Sequence, residues 1–221
     1  MTGASAAFPW EAAIADRARH AGLSLPGEAV RALAAHARAV LDANARLHLT
    51  AITEPDEFVE RHVGESLEGA ALIPETLRGT LLDLGSGNGY PGIPIAIARP
   101  SLQPVLVESS AKKSSFLRDA LIAAGRPDGV VLTRHVTRAS DIEEIEAIAV
   151  LATRAMGDWE RIVPRLASRL ASGGIVLAWT TTASDAVFAR TAWKRLRRSR
   201  TMPLTGRERS VLTVLERVDI I

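Results

Sequence analysis

The chain has 221 residues, 47% of them apolar and 24% charged, which gives length and apolar content enough to bury a core and excludes a disordered or fibrous class. It contains no cysteine, so a disulfide scaffold, a thiolate zinc site, an iron–sulfur cluster and a cysteine nucleophile are all excluded. Net charge is only +2, no apolar run approaches the roughly 18 residues of a membrane helix, and no basic segment precedes an apolar stretch at the N-terminus, so a soluble cytoplasmic protein is expected.

The first 75 residues read as helical. Ala29, Val30, Leu33, Ala34, Ala37, Val40 and Leu41 recur at three- and four-residue steps and make one apolar stripe up to about Leu47. Pro26 and Gly27 punctuate its start, and Pro55 sits near the first turn of a further helix running through His62 and Leu67. Gly64 and Gly69 interrupt that second pattern. After Gly79 the pattern changes to alternating short strands and helices: a strand at Thr80 to Leu84, a helix from Pro91 to Ala98, a strand from Pro104 to Val107, a helix from Lys112 to Ala124 and a strand from Val130 to Thr133. An acidic turn, Asp141 to Glu146, leads to a strand from Ala147 to Ala152. A helix from Asp158 to Ala171, a strand from Ile175 to Trp179 and a helix from Asp185 to Leu196 follow. The alternation predicts an α/β doubly wound sheet under helical cover. Arg197 to Met202 and Val211 to Val218 have no helix between them and predict an antiparallel hairpin. The expected organisation is a helical N-terminal extension, residues 1–75, and a sheet domain, residues 76–221.

From Arg190 to Arg209 there are eight basic side chains and one acidic one, a local +7 that leaves −5 for the rest of the chain. Guanidinium forks suit phosphate oxygens, and a solvated charge belt on a strand edge is the structural alternative. His62 stands alone on a mostly apolar helix, where on its own a packing role outweighs a site role. The tryptophans fall in core patterns, and only Trp179, at the end of a strand, is placed to stack on a base. No His, Asp and Glu grouping has metal-ligand spacing, so no metal is predicted.

The most informative stretch is Asp83-Leu84-Gly85-Ser86-Gly87-Asn88-Gly89-Tyr90-Pro91, which leaves a strand and enters a helix. Glycines there let the backbone turn sharply and approach a ligand closely. Glu108 follows 23 residues after Gly85, at the end of the next strand, where a carboxylate can accept from both hydroxyls of a ribose. Strand, glycine loop, strand and acid make a nucleoside-binding half-sheet. A dinucleotide fingerprint would need glycine at the position of Tyr90. The run is instead Asp-x-Gly-x-Gly-x-Gly, whose acid suits a cationic amine, so S-adenosyl-L-methionine fits better than NAD.

Asp83 to Pro100, DLGSGNGYPGIPIAIARP, resembles the RsmG (GidB) family of bacterial methyltransferases, and the Pro-Gly-Ile-Pro after the loop is the distinguishing part. His48-Leu49-Thr50-Ala51 is similar to the family's Asn-Leu-Thr-Ala, Arg61-His62 with Ser66 to its Arg-His-x-x-Asp-Ser, and Thr153-Arg154-Ala155 to its Ser-Arg-Ala. Glu108-Ser109 with Lys112 and Phe116-Leu117 is similar to its Asp-Ser-x-x-Lys-x-x-x-Phe-Leu. The sequence differs at Val136, where an acid near the adenine is usual, at Thr180, where a lysine is usual, and at His48.

The resemblance implies a Rossmann-like class I methyltransferase fold with an antiparallel C-terminal strand. It implies transfer from S-adenosyl-L-methionine to N7 of a guanine in 16S ribosomal RNA. A small domain rarely selects one nucleotide in a long RNA by itself, so folded RNA within a 30S subunit or assembly intermediate is the expected substrate, and a monomer without membrane contact is expected. Gly85, Gly87 and Tyr90 would line the methionine end, Glu108, Ser109 and Ser110 the ribose, and His135 and Val136 the adenine. Arg154 would touch the cofactor carboxylate or an RNA phosphate, or else pair with Asp158. Guanine N7 carries a lone pair and no proton, so no catalytic acid or base is expected. A methyltransferase acting on another RNA or a small molecule, an RNA-binding module with a degenerate cofactor site, and an NAD-dependent oxidoreductase are the alternatives.

Overall fold

The computed structural model describes residues 8–154, 159–190, 193–205 and 207–218. The N-terminal part contains α1 (Trp10–His20), α2 (Gly27–Leu47) and α3 (Pro55–Phe58), which continues as a π-helical stretch, Val59–Gly64, into α4 (Glu65–Ala71). The rest contains β1 (Gly79–Leu84), α5 (Gly92–Ala98), β2 (Leu102–Glu108), α6 (Ala111–Ala123), β3 (Val130–Thr133), β4 (Ile148–Arg154), α7 (Trp159–Leu166), β5 (Leu170–Thr181), α8 (Thr182–Arg190), β6 (Leu196–Pro203) and β7 (Ser210–Arg217).

The strands form one seven-stranded sheet in the order β3-β2-β1-β4-β5-β7-β6. The first five run parallel, and β7 inserts antiparallel beside β5 with β6 outside it. This is the doubly wound sheet with an antiparallel C-terminal hairpin that the alternation predicts. Chain order reverses between β1 and β4, which opens a crevice at the carboxyl ends of those strands. Strand β4 is buried along six of its seven residues because helices cover both faces.

The helical segment shares its core with the sheet. Leu33, Ala37 and Val40 of α2, Phe58 of α3 and Leu67 of α4 lie in one apolar cluster with Leu81, Ile93, Leu106 and Leu177. Full burial of each leucine or phenylalanine contributes about 1.5–3 kcal/mol, so the extension is held by packing across the boundary near residue 75. Glycines that interrupt the helical pattern mark close approaches. A Cβ on Gly69 would stand 2.4 Å from the Trp179 ring, and one on Gly64 would stand 2.8 Å from the Arg17 guanidinium.

Several boundaries differ from the sequence expectation, three of them with a clear local cause. Strand β5 begins at Leu170, five residues before Ile175, because the ladder shifts from Ile148↔Leu170 to Val150↔Ile175 and the intervening Gly173–Gly174 bulges out. The preceding helix therefore stops at Leu166 and closes with a 3-10 turn, Ala167–Arg169, rather than running to Ala171. Leu196 opens strand β6 instead of closing a helix. The expected start of the earlier helix, Asp158, lies outside the described residues.

Helix α2 ends at His48, an exposed residue in the left-handed region (φ 48°) whose N–H donates to the Asn44 carbonyl at 2.9 Å. Left-handed backbone is costly for a residue with a Cβ and free for glycine. His48→Gly is expected to raise stability by about 1 kcal/mol, or about 2–4 °C in Tm for a chain of this size, measured by thermal melting. Among the described residues no helix is long and apolar enough to cross a membrane.

Candidate active site

The glycine loop lies at the carboxyl end of β1, at the crevice. Gly85, Gly87 and Gly89 have φ of 74°, 54° and 89°, so all three use backbone that side chains resist, and the Tyr90–Pro91 peptide is cis. Glu108 ends the neighbouring strand and holds the loop. One carboxylate oxygen accepts from the Gly87 N–H at 3.0 Å, and the other accepts from the Ser110 N–H at 2.7 Å and from the Ser109 hydroxyl at 3.4 Å. Oε2, which accepts only from Gly87, keeps a lone pair free, so the same carboxylate can still accept from a ligand's hydroxyl. Ser110 caps α6 by accepting from the Lys113 N–H at 3.4 Å. The Arg134 N–H donates to the Glu108 carbonyl at 2.9 Å, which carries exposed His135 and buried Val136 to the same rim. Val136 packs with Leu82, Leu84 and Val107.

The amides that open α5 are already used. The Gly92 N–H donates to Asp83 Oδ2 at 3.2 Å, the Ile93 N–H to the Gly89 carbonyl at 2.8 Å and the Tyr90 N–H to Asn88 Oδ1 at 3.3 Å. A pyrophosphate needs such amides free, so the loop is ill-suited to a dinucleotide. Asp83 is fully buried beneath the loop, and its Oδ1 has no partner. With Glu108 it places two carboxylates at adjacent strand ends, a field that suits a ligand bearing a sulfonium and an ammonium. The residues present thus fit S-adenosylmethionine.

Burial raises the Asp83 carboxyl to about 6, against the opposing pull of Ser86, Arg154 and the Gly92 N–H. A raised carboxyl pKa contributes stability that is fully present below its unfolded value of about 4 and lost as pH rises through about 6. His36 and His62 act oppositely, since burial holds them neutral with pKa values of about 3 and about 2. The contribution of Asp83 is therefore read as a difference. Asp83→Asn is expected to be more stable than wild type at pH 7.5, by on the order of 2–3 kcal/mol. It should lose that advantage by pH 4, as denaturant unfolding across the range would measure.

The side chains of two residues expected at the cofactor turn toward the helical segment. Tyr90 is 2% exposed and turns its ring into the helical segment. It stacks on His36 at 4.7 Å and lies 5.1 Å from His62 and 5.5 Å from Phe58, because an aromatic side chain here gains more by filling the space between α2 and α3 than by lining the loop. Arg154 also turns toward the helices. Its Nη2 donates to His62 Nδ1 at 2.7 Å, its Nη1 donates to the Arg61 carbonyl at 3.3 Å, and its Nη1 lies 3.7 Å from Glu65 Oε2. Its alternative partner, Asp158, lies outside the described residues.

A guanidinium can only donate, so His62 Nδ1 is the acceptor and His62 Nε2 donates to Thr50 Oγ1 at 2.8 Å. Burial, then the Arg154 charge, hold that imidazole neutral. Glu65 is 3% exposed at its side chain and also pairs with Arg207, Oε1 to Nε 3.1 Å. Thr50, His62, Glu65, Arg154 and Arg207 thus form one polar network from four separate stretches of chain. Sequence reasoning left His62 undecided and missed Glu65 and Arg207 as its neighbours. The one available signal was that the short motifs holding Thr50, His62 and Arg154 occur together in one family. Other arginines of that segment face outward: Arg197 and Arg198 of β6 are exposed and pair with Glu216 at 3.0 Å and Asp185 at 2.8 Å.

A family model described as rRNA small subunit methyltransferase G (GidB) matches residues 29–200. The chain is 42% identical over 135 residues to ribosomal RNA small subunit methyltransferase G of Stenotrophomonas maltophilia, a match that spans 61% of this chain and 61% of that relative's length. It is 33% identical over 186 residues to the protein of the same name from Sorangium cellulosum, covering 81% of this chain and 75% of that one. Among solved structures, an rRNA methylase from Streptococcus thermophilus superposes with a TM-score of 0.54 at 15% identity, covering 68% of this chain and 95% of that one. The fibrillarin/Nop5p complex superposes at 0.56 and 14% identity, covering 66% and 74%. The fold is the Rossmann-like class I methyltransferase fold, and the chain belongs to the rRNA small subunit methyltransferase G family.

Proposed function

We propose that the chain is an S-adenosylmethionine-dependent methyltransferase acting on N7 of a guanine in 16S ribosomal RNA. The observation that carries this reading is the loop at β1. It has three left-handed glycines fastened to Glu108, no free amide row for a pyrophosphate, and two carboxylates at adjacent strand ends. In this reading residues 1–75 form a helical cap and residues 76–221 the cofactor-binding domain. The backbone of Gly85 and Gly87 would border the methionine end. Glu108 would accept from the ribose hydroxyls with Ser109 and Ser110 beside it, and His135 and Val136 would flank the adenine. Tyr90 acts from behind, as the wall that fixes the loop against the cap.

When bound, the cofactor supplies an electrophilic sulfonium methyl group. Guanine N7 offers an in-plane lone pair, so the protein's work is to hold that atom in line and to exclude competing water. Neither task requires a proton to move. Lys112, Arg195, Arg197, Arg198, Arg200 and Arg209, all exposed, would meet RNA phosphates and make binding steeply salt-dependent. The substrate in this reading is folded RNA in a small subunit or an assembly intermediate, and the protein acts on it as a cytoplasmic monomer.

The test is transfer of a labelled methyl group from S-adenosylmethionine to small subunits lacking the modification, with the product nucleoside identified by mass spectrometry. 7-Methylguanosine in 16S RNA is the expected product. Label on another nucleobase, or no transfer to subunits or to their RNA, would overturn the reading.

A further inference from the structure

Beside the glycine loop, across β4, lies a second and smaller cavity of about 220 Å³. It is lined by Thr153 and Arg154 at the end of β4, Trp159, Trp179 on β5, and Glu65 and Arg207 from the polar network. None of the loop residues Gly85 to Tyr90 borders it, and neither does Glu108. Its size falls below the roughly 300–1,000 Å³ of sites for drug-sized ligands. That suits one nucleobase rather than a cofactor. A larger groove of about 1080 Å³ lies at the other end of the strands, between the Gly22–Leu25 turn and the end of α5, and carries none of these groups.

One residue lining the cavity carries a buried polar atom with no partner. Thr153 is 2% exposed, and its Oγ1 makes no hydrogen bond. An unmatched hydroxyl in the interior costs free energy unless something at the site completes it. Next to it, Glu65 is held by two guanidinium groups, 3.1 Å to Arg207 and 3.7 Å to Arg154, and retains acceptor capacity on both oxygens. Trp179 is fixed by donating from Nε1 to the Glu65 carbonyl at 3.2 Å and by the close seat at Gly69. The cavity therefore combines aromatic wall, paired carboxylate, guanidinium donor and unmatched hydroxyl.

Guanine displays two adjacent donors, N1–H and the N2 amino group, beside the O6 acceptor. Adenine displays an acceptor where guanine has N1–H. A fixed carboxylate next to a donor matches guanine and rejects adenine, and enzymes that act on a base read its Watson–Crick edge in this way. We propose that this cavity is the acceptor-base pocket, in which Glu65 takes the N1–H and N2 amino donors of the target guanine while Thr153 and Arg207 serve O6. The inference rests on the methyltransferase reading above and deepens it by assigning the residues that select guanine. The sheet supplies the needed adjacency: Leu84 of β1, which immediately precedes the loop, is paired in register with Thr153 of β4. Gripping guanine by its Watson–Crick edge leaves N7, on the adjoining Hoogsteen edge, free to face the cofactor.

The decisive variant is Thr153→Val, which keeps the shape and removes a hydroxyl that no protein group uses. Thermal melting, calorimetric titration with S-adenosylmethionine and methyl transfer to small subunits are measured on the full chain, with Glu65→Gln as the second variant. The expected result for Thr153→Val is a Tm no lower than wild type, because an unmatched hydroxyl is removed, with unchanged cofactor affinity and kcat/KM for RNA lowered on the order of tenfold. Glu65→Gln should lose more, by failing to match one guanine donor. Unchanged transfer in Thr153→Val would overturn the proposal, and so would a weakened cofactor Kd, which would place the hydroxyl in the cofactor site. If wild type itself transfers no methyl group to RNA, the functional reading fails and this inference falls with it.

Discussion

Glu108→Gln is expected to lower affinity for S-adenosylmethionine on the order of 10- to 100-fold while the protein remains folded. The Glu108 carboxylate accepts from the amides of Gly87 and Ser110 with separate oxygens, at 3.0 and 2.7 Å. Glutamine is the same size but replaces one acceptor with a donor, so one amide then faces an N–H. Leaving a buried donor unmet costs about 1–3 kcal/mol, which loosens the loop but is small against the cohesion of the sheet. Tm should fall by less than about 10 °C. The affinity loss, about 1.4–2.7 kcal/mol, is of the same size as the stability loss and arises because the same carboxylate is assigned to the ribose. If cofactor affinity were unchanged with Tm lowered, Glu108 would be a loop fastener only. Calorimetry and melting on the same preparation separate the two.

Arg154→Ala is expected to destabilise the protein by about 3 kcal/mol and to abolish methyl transfer. Arg154 supplies the donor to His62 Nδ1 at 2.7 Å and one of the two positive charges beside buried Glu65. Breaking a buried pair by removing one partner leaves an uncompensated charge, and here Arg207 compensates in part. The corresponding Tm loss is about 6–12 °C. Arg154→Lys restores the charge but not the planar fork, so it should recover part of the stability and little of the activity. The contrast is Arg197 with Arg198, which are exposed on the edge strand β6. Neutralising both should change stability by less than about 1 kcal/mol and act on RNA affinity and its salt dependence instead.

The different outcomes expected for these residues follow from what a sequence can express. The β1 loop was legible because its chemistry is local: glycines at a strand end dictate a backbone path, and an acid one strand later lies beside it in a parallel sheet. The alternation of strands and helices likewise fixes topology through short connections. The directions of Tyr90 and Arg154 were not legible, because each is decided by helices that arrive from 30 or more residues away. Tyr90 follows the glycines, yet His36 and Phe58 provide a better-packed place for its ring. Arg154 ends a strand at the crevice, yet His62 and Glu65 capture it. The early start of β5 was hidden for a related reason, since two glycines that read as a turn are accommodated as a bulge within one strand.

The helical segment gains a specific role from this arrangement. It carries Thr50, His62 and Glu65 to the carboxyl ends of β4 and β5, where Arg154 and Trp179 meet them. The π-helical stretch Val59–Gly64 puts His62 and Arg61 on the turn that faces Arg154. Gly69 lets the Trp179 ring approach the helix at a distance no side chain would permit. The cap thus shares in forming the crevice as well as covering the sheet.

Calorimetric titration of the purified chain with S-adenosylmethionine, with NADH as the comparison ligand, reads directly whether the loop from Gly85 to Glu108 holds a methyl donor. Saturable binding of the methyl donor and none of NADH is expected, with the binding weakened in Glu108→Gln. Binding of NADH in preference, or no binding of the methyl donor either alone or with small subunits present, would contradict it.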